Sequence, residues 1–133
     1  MVKSANKYVN FSNAVKRLNE ANVLYKKNSD SDIYQDAIIK RFEFTFELAW
    51  KTLRQFMTDC GYLVSNPSPR GVLAQGYQES ILSNEQIWLD MLDDRNLSAH
   101  DYGYEIVKPI ADRISNKYAK ELTKLCKYMA ESF

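Results

Sequence analysis

The sequence predicts an all-α protein, an antiparallel bundle of four main helices and one short helix, on three observations. Its few helix-breaking residues are clustered: Gly61, Pro67, Pro69, Gly71 and Gly76 share one window, with only Gly103 and Pro109 outside it. Apolar residues recur at three- and four-residue spacing through the long segments on either side of that window. No segment shows the two-residue alternation of a half-buried strand. There is no internal repeat, low-complexity tract or linker, so 133 residues make one domain.

The first helix is expected over Ser4 to Lys27, with Phe11, Val15, Leu18, Asn22 and Tyr25 on one stripe, widened by Ala14 and Ala21. Asn28-Ser29-Asp30-Ser31 reads as a turn. Asp32 follows as an N-cap, with Gln35 placed to return the bond as in a capping box. The second helix runs from there to about Cys60, where Gly61 is a natural stop. Ile38, Phe42, Ala49, Leu53 and Phe56 mark one of its faces; Ile39, Phe46 and Trp50 mark another. Such a broad apolar surface on a helix about 42 Å long is more than one neighbour can cover, and implies a central helix with a second protomer as one means of covering it.

Ser68-Pro69 is an N-cap followed by proline at the first helical position, and opens a short helix to about Ser80. Ser83 or Asn84 caps the next helix, which carries Ile87, Trp88, Met91 and Leu92 and is expected to end near Tyr102, with Gly103 as its stop. A last helix reaches about Glu131 along Ile106, Ile110, Ile114, Tyr118, Leu122, Leu125 and Met129; Pro109 either begins it or kinks its first turn.

Composition narrows the function classes. Eighteen Lys and Arg against seventeen Asp and Glu leave a net charge of +1, so any nucleic-acid contact must come from a local patch. The N-terminal stretch has no apolar run of the secretory type, and nothing approaches the roughly 18 apolar residues of a membrane span. Cys60 and Cys126 are isolated, which reads as reduced thiols in the cytosol. One His and two distant Cys argue against a zinc site, and no cofactor is expected.

Chemistry concentrates in Arg95-Asn96-Leu97-Ser98-Ala99-His100-Asp101-Tyr102, which holds the chain's one histidine. Histidine can both give and take a proton near neutral pH, and arginine presents a planar fork of donors that fits phosphate oxygens. Both are what phosphodiester cleavage without a metal requires. Asn96 and His100 are four apart and share one face of the fourth helix. Arg95 lies about 140° around the helix from His100, so the two converge only through the length of the arginine. The C-terminal end of a helix favours a cationic imidazole. The competing reading makes His100 a packing or capping residue and pairs Arg95 with Asp90, Asp93 or Asp94. Asp93-Asp94 reads as a solvated face, because adjacent carboxylates diverge on a helix. In the second helix Arg41, Lys51 and Trp50 are candidate substrate-binding residues, set against ion pairing and core packing. Glu43 and Glu47 are a like-charge pair that needs a partner such as Lys51 or Arg54.

Arg41-Phe42-Glu43-Phe44-Thr45-Phe46-Glu47-Leu48-Ala49-Trp50-Lys51, then Ser68-Pro69-Arg70, then Trp88-Leu89-Asp90-Met91-Leu92-Asp93-Asp94-Arg95-Asn96-Leu97-Ser98-Ala99-His100, resemble the nucleotidyltransferase substrate-binding protein family of the HEPN superfamily, from about Ile33 to Leu125. The resemblance implies a HEPN-like bundle, a homodimer, and a minimal nucleotidyltransferase (MNT) encoded nearby as partner. It also implies one of two roles: the substrate-binding half of a two-part enzyme, or a metal-independent ribonuclease toxin with the transferase as its antitoxin. Arg95 and His100 match the superfamily's arginine, four residues, histidine pattern, and Asn96 matches the polar residue that often follows the arginine. Asp101-Tyr102 fits the extended form of the pattern, in which the tyrosine is adenylylated (AMPylated) by the partner; Tyr104 is a second candidate.

The implied reaction is attack by the RNA 2′-hydroxyl on the adjacent phosphorus, leaving a cyclic phosphate. It needs one group to take a proton and another to give one. One histidine per chain cannot do both, whereas a two-fold dimer with His100 from each protomer facing a shared groove can. Arg95 would then stabilise charge on the phosphorane, and Asn96 would orient the imidazole or bind phosphate. Adenylylation of Tyr102 would add bulk and negative charge at the groove mouth and repel an anionic substrate. RNA or a nucleotide is the expected ligand, and a purely structural role in complex assembly is the third class.

Overall fold

In the computed structural model, residues 3–100 and 103–132 are described. Helices follow in the order α1 (Lys3–Lys27), α2 (Asp32–Asp59), α3 (Pro69–Gln78), α4 (Glu85–His100), α5 (Tyr104–Arg113) and α6 (Ala119–Glu131). A π-helical turn, Ile114–Tyr118, joins α5 to α6 without a break. Among the described residues there is no strand, and no helix is long and apolar enough to cross a membrane. The long helices pack antiparallel in the order α1, α2, α4, α5–α6. Cross-links fix each register: Thr45 Oγ1 donates to the Ala14 carbonyl (3.2 Å) and Tyr8 to Asp59 (2.9 Å) between α1 and α2. On the far side of α1, Tyr25 donates to Asp112 (2.6 Å) and Asn19 to Thr123 (3.1 Å).

The core is the set of apolar stripes read from the sequence. Phe11, Val15, Leu18 and Tyr25 of α1, both apolar faces of α2, and Ile110, Ile114, Tyr118, Leu122, Leu125 and Met129 of the last helix are all buried. Ile38, Phe42, Ala49, Leu53 and Phe56 are covered together with Ile39, Phe46 and Trp50 inside the one chain. The breadth of α2 is thus used up by α1 on one side and by α4, α5 and α6 on the other. Aromatic rings fill the centre: Phe42 stacks on Tyr118 with centroids 5.4 Å apart, and Phe46 tilts against Trp88 at 6.4 Å. Each such buried side chain contributes on the order of 1.5–3 kcal/mol by leaving water.

Helix ends show where local reading succeeds and where tertiary contacts override it. Gly61 has φ of 92°, and the bonds Tyr62 N–H to Met57 O (2.9 Å) and Gly61 N–H to Thr58 O (3.0 Å) close α2 in a Schellman motif. Ser68 Oγ accepts from Gly71 N–H (3.1 Å), and Asn84 Oδ1 accepts from Ile87 N–H (3.2 Å), capping α3 and α4. The capping box expected at Asp32 is absent. Ser31 is the N-cap residue, without a side-chain bond, and Gln35 is buried, donating instead to the Ser29 carbonyl (2.8 Å). Gly103 has φ of −77° and is the N-cap residue of α5, not a left-handed stop. Helix α5 begins at Tyr104, so Pro109 lies inside it. The π turn was not expected from sequence. Ser115 Oγ donates to Asn22 Oδ1 (2.5 Å) and Asn22 Nδ2 donates to the Ser115 carbonyl (3.3 Å), so α1 takes up a carbonyl within the turn. Both cysteines are free thiols.

Three tyrosines donate to carboxylates, and each phenol is pushed well above its ordinary value, first by burial and then by its partner: Tyr8 by Asp59, Tyr25 by Asp112, Tyr118 by Asp94. A raised folded-state pKa contributes stability that is complete below the unfolded value of about 10 and is lost as pH rises through the folded value. Of nine tyrosines, these three are expected to stay protonated above pH 10 until the chain unfolds. Ultraviolet phenolate titration should show a late step that coincides with loss of helical circular dichroism. A single smooth step before unfolding would contradict this.

Candidate functional site

The last two turns of α4 face α2 across a seam built on the acidic pair Glu43 and Glu47. These glutamates find separate partners on α4, which relieves their repulsion and locks the two helices in register. Arg95 Nη2 donates to Glu47 Oε2, and Lys51 lies 3.4 Å from the other oxygen of that carboxylate. One turn away, Ser98 Oγ donates to Glu43 Oε2 (2.6 Å). Arg95 therefore pairs with neither Asp90, Asp93 nor Asp94, because its azimuth on α4 directs it at α2. Its Nη1 also donates to Asn96 Oδ1 (3.2 Å), so the guanidinium is held at two points while about 30% of the side chain stays exposed.

Asn96 and His100 lie on the exposed face of α4, as their four-residue spacing requires. His100 is the last residue of the helix and is exposed. The next two residues, Asp101 and Tyr102, lie outside the described residues. Tyr104 opens α5, and its side chain also lies outside them.

The candidates on α2 divide between two seams. Lys51 joins the Arg95 cluster through Glu47. Trp50 is 8% exposed, its indole N–H has no acceptor among the described residues, and its ring is covered by Arg54 and Lys51 at 5.5 and 5.9 Å. A base could stack there only by displacing those cations. Arg41 lies on the α1 side instead, donating to the Arg17 carbonyl (2.7 Å), beside a cavity of about 210 Å³ lined by Phe44 and Thr45.

Next to Arg95 in the chain, Asp94 is buried at 7% exposure, which corrects its reading as part of a solvated face; of the two aspartates Asp93 alone is exposed, 3.5 Å from Arg70. Arg113 donates to the Asp94 carboxylate from Nε (2.7 Å) and Nη2 (2.8 Å), and Tyr118 donates from its hydroxyl (2.5 Å). The hydrogen bond to Asp94 raises the Arg113 pKa further, so the guanidinium stays charged. This bidentate fork ties α4 to the far end of α5 and to the π turn. Sequence reasoning missed it; the adjacent Asp93-Asp94 pair was its only local signal. Among the described residues, no group of His, Cys, Asp and Glu is placed to hold a metal ion.

No curated protein matches this sequence. Among solved structures, a crystal structure of a Thermus thermophilus protein is similar at a TM-score of 0.63 and 26% identity, covering 86% of this chain and 97% of that one. The family model described as nucleotidyltransferase substrate binding protein like matches residues 6–131. That match takes in α1 to α6, the α2–α4 seam and the helix end that carries Arg95 and His100, so the chain belongs to the nucleotidyltransferase substrate-binding protein family.

Proposed function

We propose that this chain is the HEPN half of a two-component nucleotidyltransferase system, and that the end of α4 is a metal-independent ribonuclease site. In this reading the protein is a homodimer, the partner is a minimal nucleotidyltransferase, and adenylylation of Tyr102 silences cleavage. One observation supports it above the others: Arg95 is pre-oriented by Glu47 and Asn96, while the neighbouring Asn96 and His100 stay open to a ligand. Fixing a guanidinium before substrate arrives lowers the ordering cost of stabilising a phosphorane.

A second reading has its own observation. The charge of Arg95 is already met by Glu47, which fits a subunit that presents a nucleotide to the transferase without cutting anything.

The test is incubation of the purified protein with RNA in the presence of EDTA. The first reading expects fragments ending in cyclic phosphate, and loss of cleavage after treatment with the partner transferase and ATP. Intact RNA together with saturable binding of labelled ATP would replace it with the second reading. Intact RNA and no nucleotide binding would overturn both and leave a role in assembly.

A further inference from the structure

We propose that the seam between α1 and α6, on the opposite edge of the bundle from Arg95, is a second RNA contact that grips the phosphate backbone. The seam forms a groove of about 460 Å³ whose lining, among the described residues, includes Lys26, Lys120, Lys124 and Lys127 and no carboxylate. In a chain whose charges nearly cancel, this is a local segregation of one sign.

The lysines are spread along a line. Asn22 bonds Ser115 and Asn19 bonds Thr123, so α1 runs antiparallel to the last helix, with Lys26 at one end of the groove and Lys127 at the other. Lys120 to Lys127 alone spans about 10 Å of helix axis. A single phosphate or mononucleotide cannot reach ammonium groups so dispersed, whereas a strand carrying a charge at each nucleotide meets them in succession.

The groove also shows what it does not read. Among the described residues no aromatic ring lines it, so bases have nothing there to stack on. Its polar floor is largely self-satisfied, with Asn22 paired to Ser115 and Asn19 to Thr123. Lys124 is shared with Glu121 (3.5 Å) and Ser83 (3.3 Å); Lys26, Lys120 and Lys127 have no carboxylate partner among the described residues. Contact is therefore with backbone charge and is independent of sequence. On the reading above, the groove would hold one stretch of an RNA whose other stretch lies at the α4 end, although binding here does not require that end to be catalytic.

The experiment is fluorescence anisotropy of a labelled oligouridine against the full-length protein over a range of salt. The three lysines without a carboxylate partner contribute a slope of about −2 in log affinity against log salt, at about 0.7 per neutralised phosphate. K120Q/K127Q should reduce the slope by about 1.4 and weaken binding at least several-fold, with unchanged circular dichroism. A DNA oligonucleotide of the same length should bind comparably, and AMP at the same concentration should not compete. An unchanged slope in the double variant, or no RNA binding at low salt, would overturn the proposal. So would binding lost in Arg95→Ala and retained in K120Q/K127Q, which would place all RNA contact at the α4 end. Capture of an acidic protein by the groove without RNA binding would overturn it in favour of a protein interface. Failure of the ribonuclease reading looks different: RNA bound through the lysines and left uncut.

Discussion

Asp94→Ala is expected to lower stability by about 3 kcal/mol, equivalent to about 10 °C in melting temperature for a domain of this size. The carboxylate is 7% exposed and serves three donors, two from Arg113 and one from Tyr118. Removing it leaves the Tyr118 hydroxyl, in a side chain 1% exposed, without its acceptor, and leaves a guanidinium with no counter-charge. The loss falls at the lower end of the range for broken buried pairs because 40% of the Arg113 side chain reaches solvent and can rehydrate. Asp94→Asn should be little better, since an amide presents donors where Arg113 and Tyr118 also donate. Asp94→Leu combined with Arg113→Met should recover much of the loss, because it removes both charges together. Thermal and urea unfolding check all three variants. A shift under about 3 °C for Asp94→Ala would show that water replaces the carboxylate readily and that the fork does not tie α4 to α5.

The Asp94 fork also marks where the sequence stops being readable. Helix positions and their buried faces follow from local periodicity, because burial in a bundle repeats along each stripe; Phe11, Phe42, Phe46 and Leu122 were legible on that ground. Caps were legible when their chemistry is local, as at Ser68, Asn84 and Gly61. Gln35 and Gly103 were misread because each serves another element: the loop before α2 in one case, the start of α5 in the other. Polar residues were the least legible class. Asp94 has the same local surroundings as Asp93, and only the azimuth of α4 against α5 separates a buried fork from a surface carboxylate. Arg95 was set against three nearby aspartates, yet its partner Glu47 lies on another helix, far away in sequence. The like-charge pair Glu43 and Glu47 was a legible demand for partners, and Ser98 and Arg95 are the answer on α4.

On the proposed ribonuclease reading, cleavage is expected to fall to background in His100→Ala with the fold intact, because in the proposed dimer each protomer would supply one imidazole and the variant would supply none. General acid and general base contribute about 10²–10⁴-fold each, so losing both removes most of the acceleration. Arg95→Ala should cost about 10²–10³-fold in kcat through lost stabilisation of the phosphorane. Glu47 is a positioning residue for that guanidinium, so Glu47→Gln should lower kcat about tenfold with less effect on KM, an intermediate loss for a displaced group. Because Glu47 acts through Arg95, the double variant Glu47→Gln/Arg95→Ala should be no slower than Arg95→Ala alone. Glu47→Asp, which keeps the charge on a shorter arm, should restore part of the rate. Full activity in His100→Ala would remove the imidazole from the mechanism. Additive losses at Glu47 and Arg95 would show that Glu47 supports α4 as a whole and does not aim the arginine at a phosphate.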